Sequence, residues 1–197
     1  MIDAALSSPL TDEEGDLLLR LARREVHSAA AGHPPCPPGP SLPAAFAARR
    51  DVYVTLTLEG RLRGCIGTWK AGRTLAENLA RAARGVARED PRFPPVETRE
   101  VGRLAIEVTV LDPPKVIAGP GDLSMGRHGV SVSHRSGCGL LLPQVAIEHG
   151  LGPEEFLGLA CRKAGLHAEA WRRDTILEAF SARVFREPGV PRDPRDA

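Results

Sequence analysis

The sequence predicts an α+β fold with a mixed or antiparallel sheet flanked by helices. Three features carry that prediction. Several short runs alternate apolar and polar residues, two capping boxes each open a stretch of helical spacing, and strands come as hairpins instead of regular strand–helix repeats. No segment recurs at a fixed period.

Thr11-Asp12-Glu13-Glu14 is the first capping box, followed at helical spacing by Leu17, Leu18, Leu21, Ala22 and Val26; this helix stops by Gly32. GHPPCPPGP then forms a loop or strap, because proline suits neither a helix interior nor a central strand. The N-terminal piece is too short to bury a core alone, so its helix packs on the main body. DVYVTLTLEG places Val52, Val54, Leu56 and Leu58 on one face and Tyr53, Thr55 and Thr57 on the other. Glu59-Gly60 supplies a tight turn, and residues 61–68 return as the second strand of a hairpin. Strict period two puts Leu62, Gly64 and Ile66 on one side of that strand and Arg61, Arg63 and Cys65 on the other.

Thr74-Leu75-Ala76-Glu77 opens a second helix that turns Leu75, Leu79, Ala82 and Val86 inward and Arg81, Arg84 and Arg88 outward. Pro91 ends it and pushes Asp90 to an extended conformation. RLAIEVTVL is an alternating strand, with Leu104, Ile106, Val108 and Val110 inward and Glu107 and Thr109 opposite. GRHGVSVSHRSGCGLLLPQ forms a hairpin, Pro143 begins a short helix stopped by Gly150, and residues 153–164 form a further helix ended by Gly165. Residues 175–185 make the last strand. The expected organisation is a single domain over residues 1–186 and a polar, proline-punctuated, disordered tail over 187–197.

Composition narrows the function classes. Lysine and arginine number 26 against 25 aspartates and glutamates, so no strong global field attracts nucleic acid or an anionic membrane. Only Lys70, Lys115 and Lys163 are lysines, an arginine bias that a GC-rich genome explains. The four cysteines form no CxxC pair, no signal peptide opens the chain and no run is long enough to span a membrane, which predicts a cytoplasmic protein with free thiols. The common nucleotide-binding and hydrolase motifs are absent. His128, His134 and Cys138 match no familiar zinc spacing, so no metal site is predicted.

The stretch RLRGCIGTW concentrates the chemistry. Cys65 shares a predicted face with Arg63, about 7 Å away along the strand, where a guanidinium would lower the thiol pKa. Gly64 and Gly67 would let a substrate backbone, base or phosphate approach the sheet. The plainer alternative is a small apolar side chain beside a bulge. Asp90 and Glu107 are candidate acid–base groups if they face the same cleft.

LRGCIGTW after an alternating strand, then REDPRFPPV, LAIEVTVLDPP, GLLLPQVAIEHG and EEFLGLACRKAGL with Trp171 following, together resemble the AMMECR family over about Asp51 to Phe185. The resemblance implies two lobes, larger and smaller, with the LRGCIGT motif lining a cleft between them. The family has no established biochemical activity; the first reading is an enzyme modifying a nucleotide, RNA base or peptide, with Cys65, Asp90 and Glu107 catalytic and Arg61, Arg63, Gly64, Gly67, Thr68, Arg92 and Gln144 binding substrate. The alternative is a non-catalytic module that recruits a protein or RNA partner. Memo-like and radical-SAM proteins are the partners implied by family association, and the resemblance names no cofactor. Cys138 stands where many family members carry a basic residue.

Overall fold

The computed structural model describes residues 9–37 and 41–188. It is an α+β chain whose antiparallel strands follow the order β2-β1-β3-β7-β5-β6, with β4 pairing β7. The chain divides into two compact units, one built from the residues up to Val110 plus those from Arg183 onward, the other from Leu111–Ala182.

The first unit begins with α1 (Asp12–Ala30), opened by the predicted capping box: Thr11 accepts from the Glu14 N–H while the Glu14 side chain accepts from the Thr11 N–H. The hairpin is β1 (Val52–Leu58) and β2 (Arg61–Gly67). Its turn holds both Glu59 (φ 53°) and Gly60 (φ 76°) in the left-handed region, as a two-residue hairpin connection requires. α2 (Leu75–Arg88) follows, opened by the Thr74–Glu77 box, and then β3 (Leu104–Leu111). Val52, Val54 and Leu56 from β1 and Leu104, Ile106, Val108 and Val110 from β3 form one continuous core with α1 and α2. That is the inward set the alternation predicted.

One register detail departs from strict period two. Leu56 pairs with Gly64 but Thr57 pairs with Leu62, so Arg63 is the extra residue of a β-bulge. The bulge flips everything on its hairpin side. Leu62 therefore shares the Thr57 face and is 47% exposed, instead of anchoring the strand, and Arg61 opposes Leu58 instead of sharing a face with Cys65. Gly64, Cys65 and Ile66 lie beyond the bulge and keep their predicted sides.

The second unit contains β4 (Lys115–Val116), β5 (His128–His134), β6 (Gly137–Leu141), α3 (Pro143–Glu148), α4 (Pro153–Lys163) and the first part of β7 (Ile176–Arg186). Proline stands at the start of both helices, where its missing N–H costs nothing. Val130, Val132, Leu141, Phe156, Leu157, Ala160 and Cys161 make a separate core. Cys161 is fully buried, the packing role its helical position suggests.

The tail prediction needs a correction at its first residue. Glu187 is held by Arg23, whose Nε donates to its carboxylate at 2.6 Å, and by the Ile106 N–H at 2.9 Å. Residues 189–197 lie outside the described residues, as do residues 1–8, where the signal peptide was judged absent. No helix among the described residues is long and apolar enough to cross a membrane.

Candidate functional site

The site builds outward from Cys65. Its N–H donates to Asp90 Oδ2 at 2.8 Å, and its carbonyl accepts from Arg92 Nη2 at 3.1 Å. Both backbone groups therefore point away from β1, so Cys65 and its partner Thr55 form a non-hydrogen-bonded pair of the ladder, the type in which facing side chains lie closer. Thr55 Oγ1 accordingly reaches Cys65 Sγ at 3.3 Å and donates to it.

β2 stands at the end of the strand order, so its outer edge would offer unsatisfied backbone groups to any passing strand. The segment after α2 closes that edge with side chains. Asp90 supplies the acceptor a neighbouring strand's carbonyl would supply, and Arg92 the donor of a neighbouring N–H. The two also bind each other: Asp90 accepts from Arg92 Nε at 2.9 Å, Nη2 at 2.8 Å and the Arg92 N–H at 3.1 Å. The Asp90 side chain is 2% exposed and that of Arg92 53%. The Arg92 hydrogen bond is the main reason the Asp90 carboxyl lies well below the usual carboxylate range, with the Cys65 N–H adding to it against the cost of burial. Asp90 is thus a clamp whose charged form is favoured by Arg92 and by the Cys65 N–H. The motifs LRGCIG and EDPRF, far apart in sequence, are two halves of one edge.

The predicted activation of the thiol by Arg63 does not occur. Displaced by the bulge, Arg63 makes a bidentate pair with Glu100, Nε to Oε1 and Nη2 to Oε2 both at 3.0 Å. Burial pushes the Cys65 thiol above its ordinary value, and the Thr55 hydrogen bond and the Arg92 charge oppose that shift without cancelling it. Glu107 and Asp90 raise it further. The surroundings of Cys65 therefore favour its protonated form.

The two glycines are likewise occupied by the fold. A Cβ on Gly64 would meet Val86 Cγ2 at 2.9 Å, so this glycine lets α2 seat on β2. A Cβ on Gly67 would lie 2.2 Å from the Tyr53 ring, which covers it from the paired strand. At both positions a neighbouring side chain fills the space a Cβ would take. Thr68 is buried, and its Oγ1 accepts from the Val52 N–H at 3.1 Å, closing the end of the hairpin.

Glu107 does join Cys65. β1 pairs Thr55 with Cys65 on one side and with Glu107 on the other, so the three form a row across three strands. Arg186 Nε donates to Glu107 Oε2 at 2.6 Å. Sequence reasoning missed Thr55, Glu100 and Arg186; only Thr55 was signalled, by its outward place in the β1 alternation. Gln144 is half-buried on α3 in the second unit. Among the described residues, no three His, Cys, Asp or Glu side chains converge so as to hold a metal ion. Cys138 is exposed, with Ser133 Oγ 3.6 Å from its sulfur.

Comparison with known proteins matches the AMMECR1 family model over residues 19–185. A Methanosarcina acetivorans protein is 40% identical over 186 residues, covering 90% of this chain and 94% of its own. A Thermococcus kodakarensis protein is 38% identical, with 94% and 95% covered. The crystal structure of an uncharacterized protein from Pyrococcus horikoshii superposes with a TM-score of 0.83 at 39% identity, covering 91% of this chain and 94% of that one. With its motifs, its strand order and these matches in agreement, the chain belongs to the AMMECR1 family.

Proposed function

We propose that this protein is a binding module, and that the open face of its first three strands recognises a neutral, hydrogen-bonding group such as a peptide amide. The observation that carries this is the setting of Cys65: a half-buried thiol whose hydrogen-bond partner is a hydroxyl and whose protonated form burial favours. A nucleophilic cysteine needs a thiolate and an adjacent base or cation. Here the guanidinium beside Cys65, that of Arg92, is paired with Asp90, and that of Arg63 is turned to Glu100.

The charges on the face favour a peptide over the nucleotide and RNA-base alternatives. Glu107 and Arg186 offset each other, and Thr55, Thr57 and Cys65 add neutral polar groups, the two hydroxyls with acceptor capacity left over. A phosphate there would have to compete with a carboxylate for each guanidinium, Asp90 at Arg92 and Glu107 at Arg186. The alternative in which Cys65 attacks a substrate predicts the opposite thiol behaviour, and that separates the two.

The test is the rate of Cys65 alkylation by iodoacetamide in the folded chain as a function of pH. The binding reading expects slow reaction at neutral pH, rising only above the range of an ordinary thiol. Fast alkylation at neutral pH with a midpoint on the acid side of that range would establish a thiolate and overturn the proposal.

A further inference from the structure

A cavity of ≈370 Å³ lies in the first unit between α1, α2 and the proline strap, and none of its lining residues belongs to the Cys65 row. Its origin is visible in the sequence of α2. Ala76 and Ala80 lie one turn apart on the face opposite Leu21 of α1 and Leu42 beyond the strap, and their short side chains leave the space unfilled. Residues 33–36 of the strap are fastened over it: the Cys36 N–H donates to Glu25 Oε1 at 3.0 Å, Arg84 Nη2 donates to the His33 carbonyl at 2.7 Å, and Ser28 Oγ donates to the Pro34 carbonyl at 2.8 Å. Arg84, expected on the outer side of its helix, is therefore a tie between α2, α1 and the strap.

The lining combines an apolar floor with an unequal distribution of charge. Its two acids are already used. Glu25 is 2% exposed and holds the strap and Arg84, while Glu77 caps α2 through the Thr74 N–H at 2.9 Å and the Thr74 hydroxyl at 2.8 Å. Arg24, Arg73 and Arg81 stand at the exposed rim. Arg24 donates to the Pro37 carbonyl, and Arg81 makes no hydrogen bond or ion pair among the described residues. A volume of this size suits a small molecule. Guanidinium groups above an apolar floor suit a carboxylate or phosphate head on an apolar body.

We infer that this cavity is a binding site for a small amphipathic anion, whose apolar body lies between α1 and α2 and whose head meets the arginine rim. The anion is a single carboxylate or phosphate, since both acids of the lining are committed and would repel a second charge at depth. Cys36 lines the same space and reports its occupancy.

The experiment titrates the full-length chain with decanoate, with decyl phosphate as a second head group and decanol as the uncharged control. Saturable binding of decanoate or decyl phosphate is expected, weakened about tenfold or more by Arg73→Gln with Arg81→Gln, with decanol no tighter on the native chain than decanoate is on that variant. Both arginines are exposed, so the variant folds, and a thermal melt verifies this. Iodoacetamide labelling of Cys36 is expected to slow in decanoate and to be unchanged in decanol. Non-saturating binding of both anions, or equal affinity of the double variant, or labelling of Cys36 indifferent to decanoate, would each overturn the inference. If decyl phosphate alone saturates, the site is a phosphate-head site; if decanoate alone does, a carboxylate site.

Discussion

Replacing Asp90 by asparagine tests the edge clamp, and the structure sets the size of the effect. Asparagine retains an oxygen for the Cys65 N–H but loses the ion pair with Arg92 and turns an amide N–H₂ toward guanidinium donors. Breaking a fully buried pair costs about 3–5 kcal/mol. Arg92 is half in solvent, with 53% of its side chain exposed, and can rehydrate, so the lower value of about 2 kcal/mol for a charge-assisted hydrogen bond applies. For a chain of this length that is a fall in Tm of roughly 4–8 °C. Asp90→Ala also leaves the Cys65 N–H without an acceptor and costs about 3 kcal/mol. The pH dependence has a definite sign. The folded carboxyl lies below its ordinary value of 3.8, so its stabilisation is fully present above that value and is lost progressively as pH falls from it toward the lower folded value. Urea unfolding of native chain and variant, run from about pH 7 down to about pH 3, should show a gap that is constant near neutrality and narrows below about pH 4. A cost under about 0.5 kcal/mol, or a gap that does not change with pH, would refute the clamp.

Gly67→Ala places a Cβ against the Tyr53 ring and should cost about 1–3 kcal/mol in urea unfolding, with Tyr53→Leu restoring part of the loss. Gly64→Ala meets Val86 in the same way, so the loss should be smaller in a Val86→Ala background; additive losses would show that α2 does not press on β2 there. Ending the chain at Arg186 removes the Glu187 carboxylate from Arg23 and the Ile106 N–H and should lower stability by about 2 kcal/mol relative to a chain ending at Pro188, compared by urea unfolding. A double-mutant cycle of Arg63→Gln and Glu100→Gln should give a coupling of about 1 kcal/mol, since the pair is bidentate and mostly shielded, at 11% and 18% side-chain exposure.

Much of the fold was legible because it depends on local periodicity. The capping boxes at Thr11 and Thr74 satisfy helix N–H groups within four residues of sequence, so both appear where the motif stands. The alternation in β1 and β3 names the core faces because a sheet with one packed side has no other way to bury Val54 and Ile106. Family membership was also legible, since ordered motifs survive as strings of residues.

The roles of individual residues around Cys65 were decided by tertiary structure alone. One extra residue at Arg63 shifts the register, and neither composition nor period two announces a bulge, so Leu62 and Arg61 exchanged sides and the guanidinium expected beside the thiol went to Glu100. The glycines read as room for a ligand, but a missing Cβ looks the same in sequence whether a substrate, a helix or a tyrosine ring fills its place. Asp90 read as an acid–base group because sequence shows an ionisable side chain and not its partners; the fold brings Cys65 and Arg92 to it and favours its charged form. Periodicity is set by each residue's own backbone, whereas bulges, ion pairs and close contacts are set by residues distant in the chain, and only the folded chain brings those together.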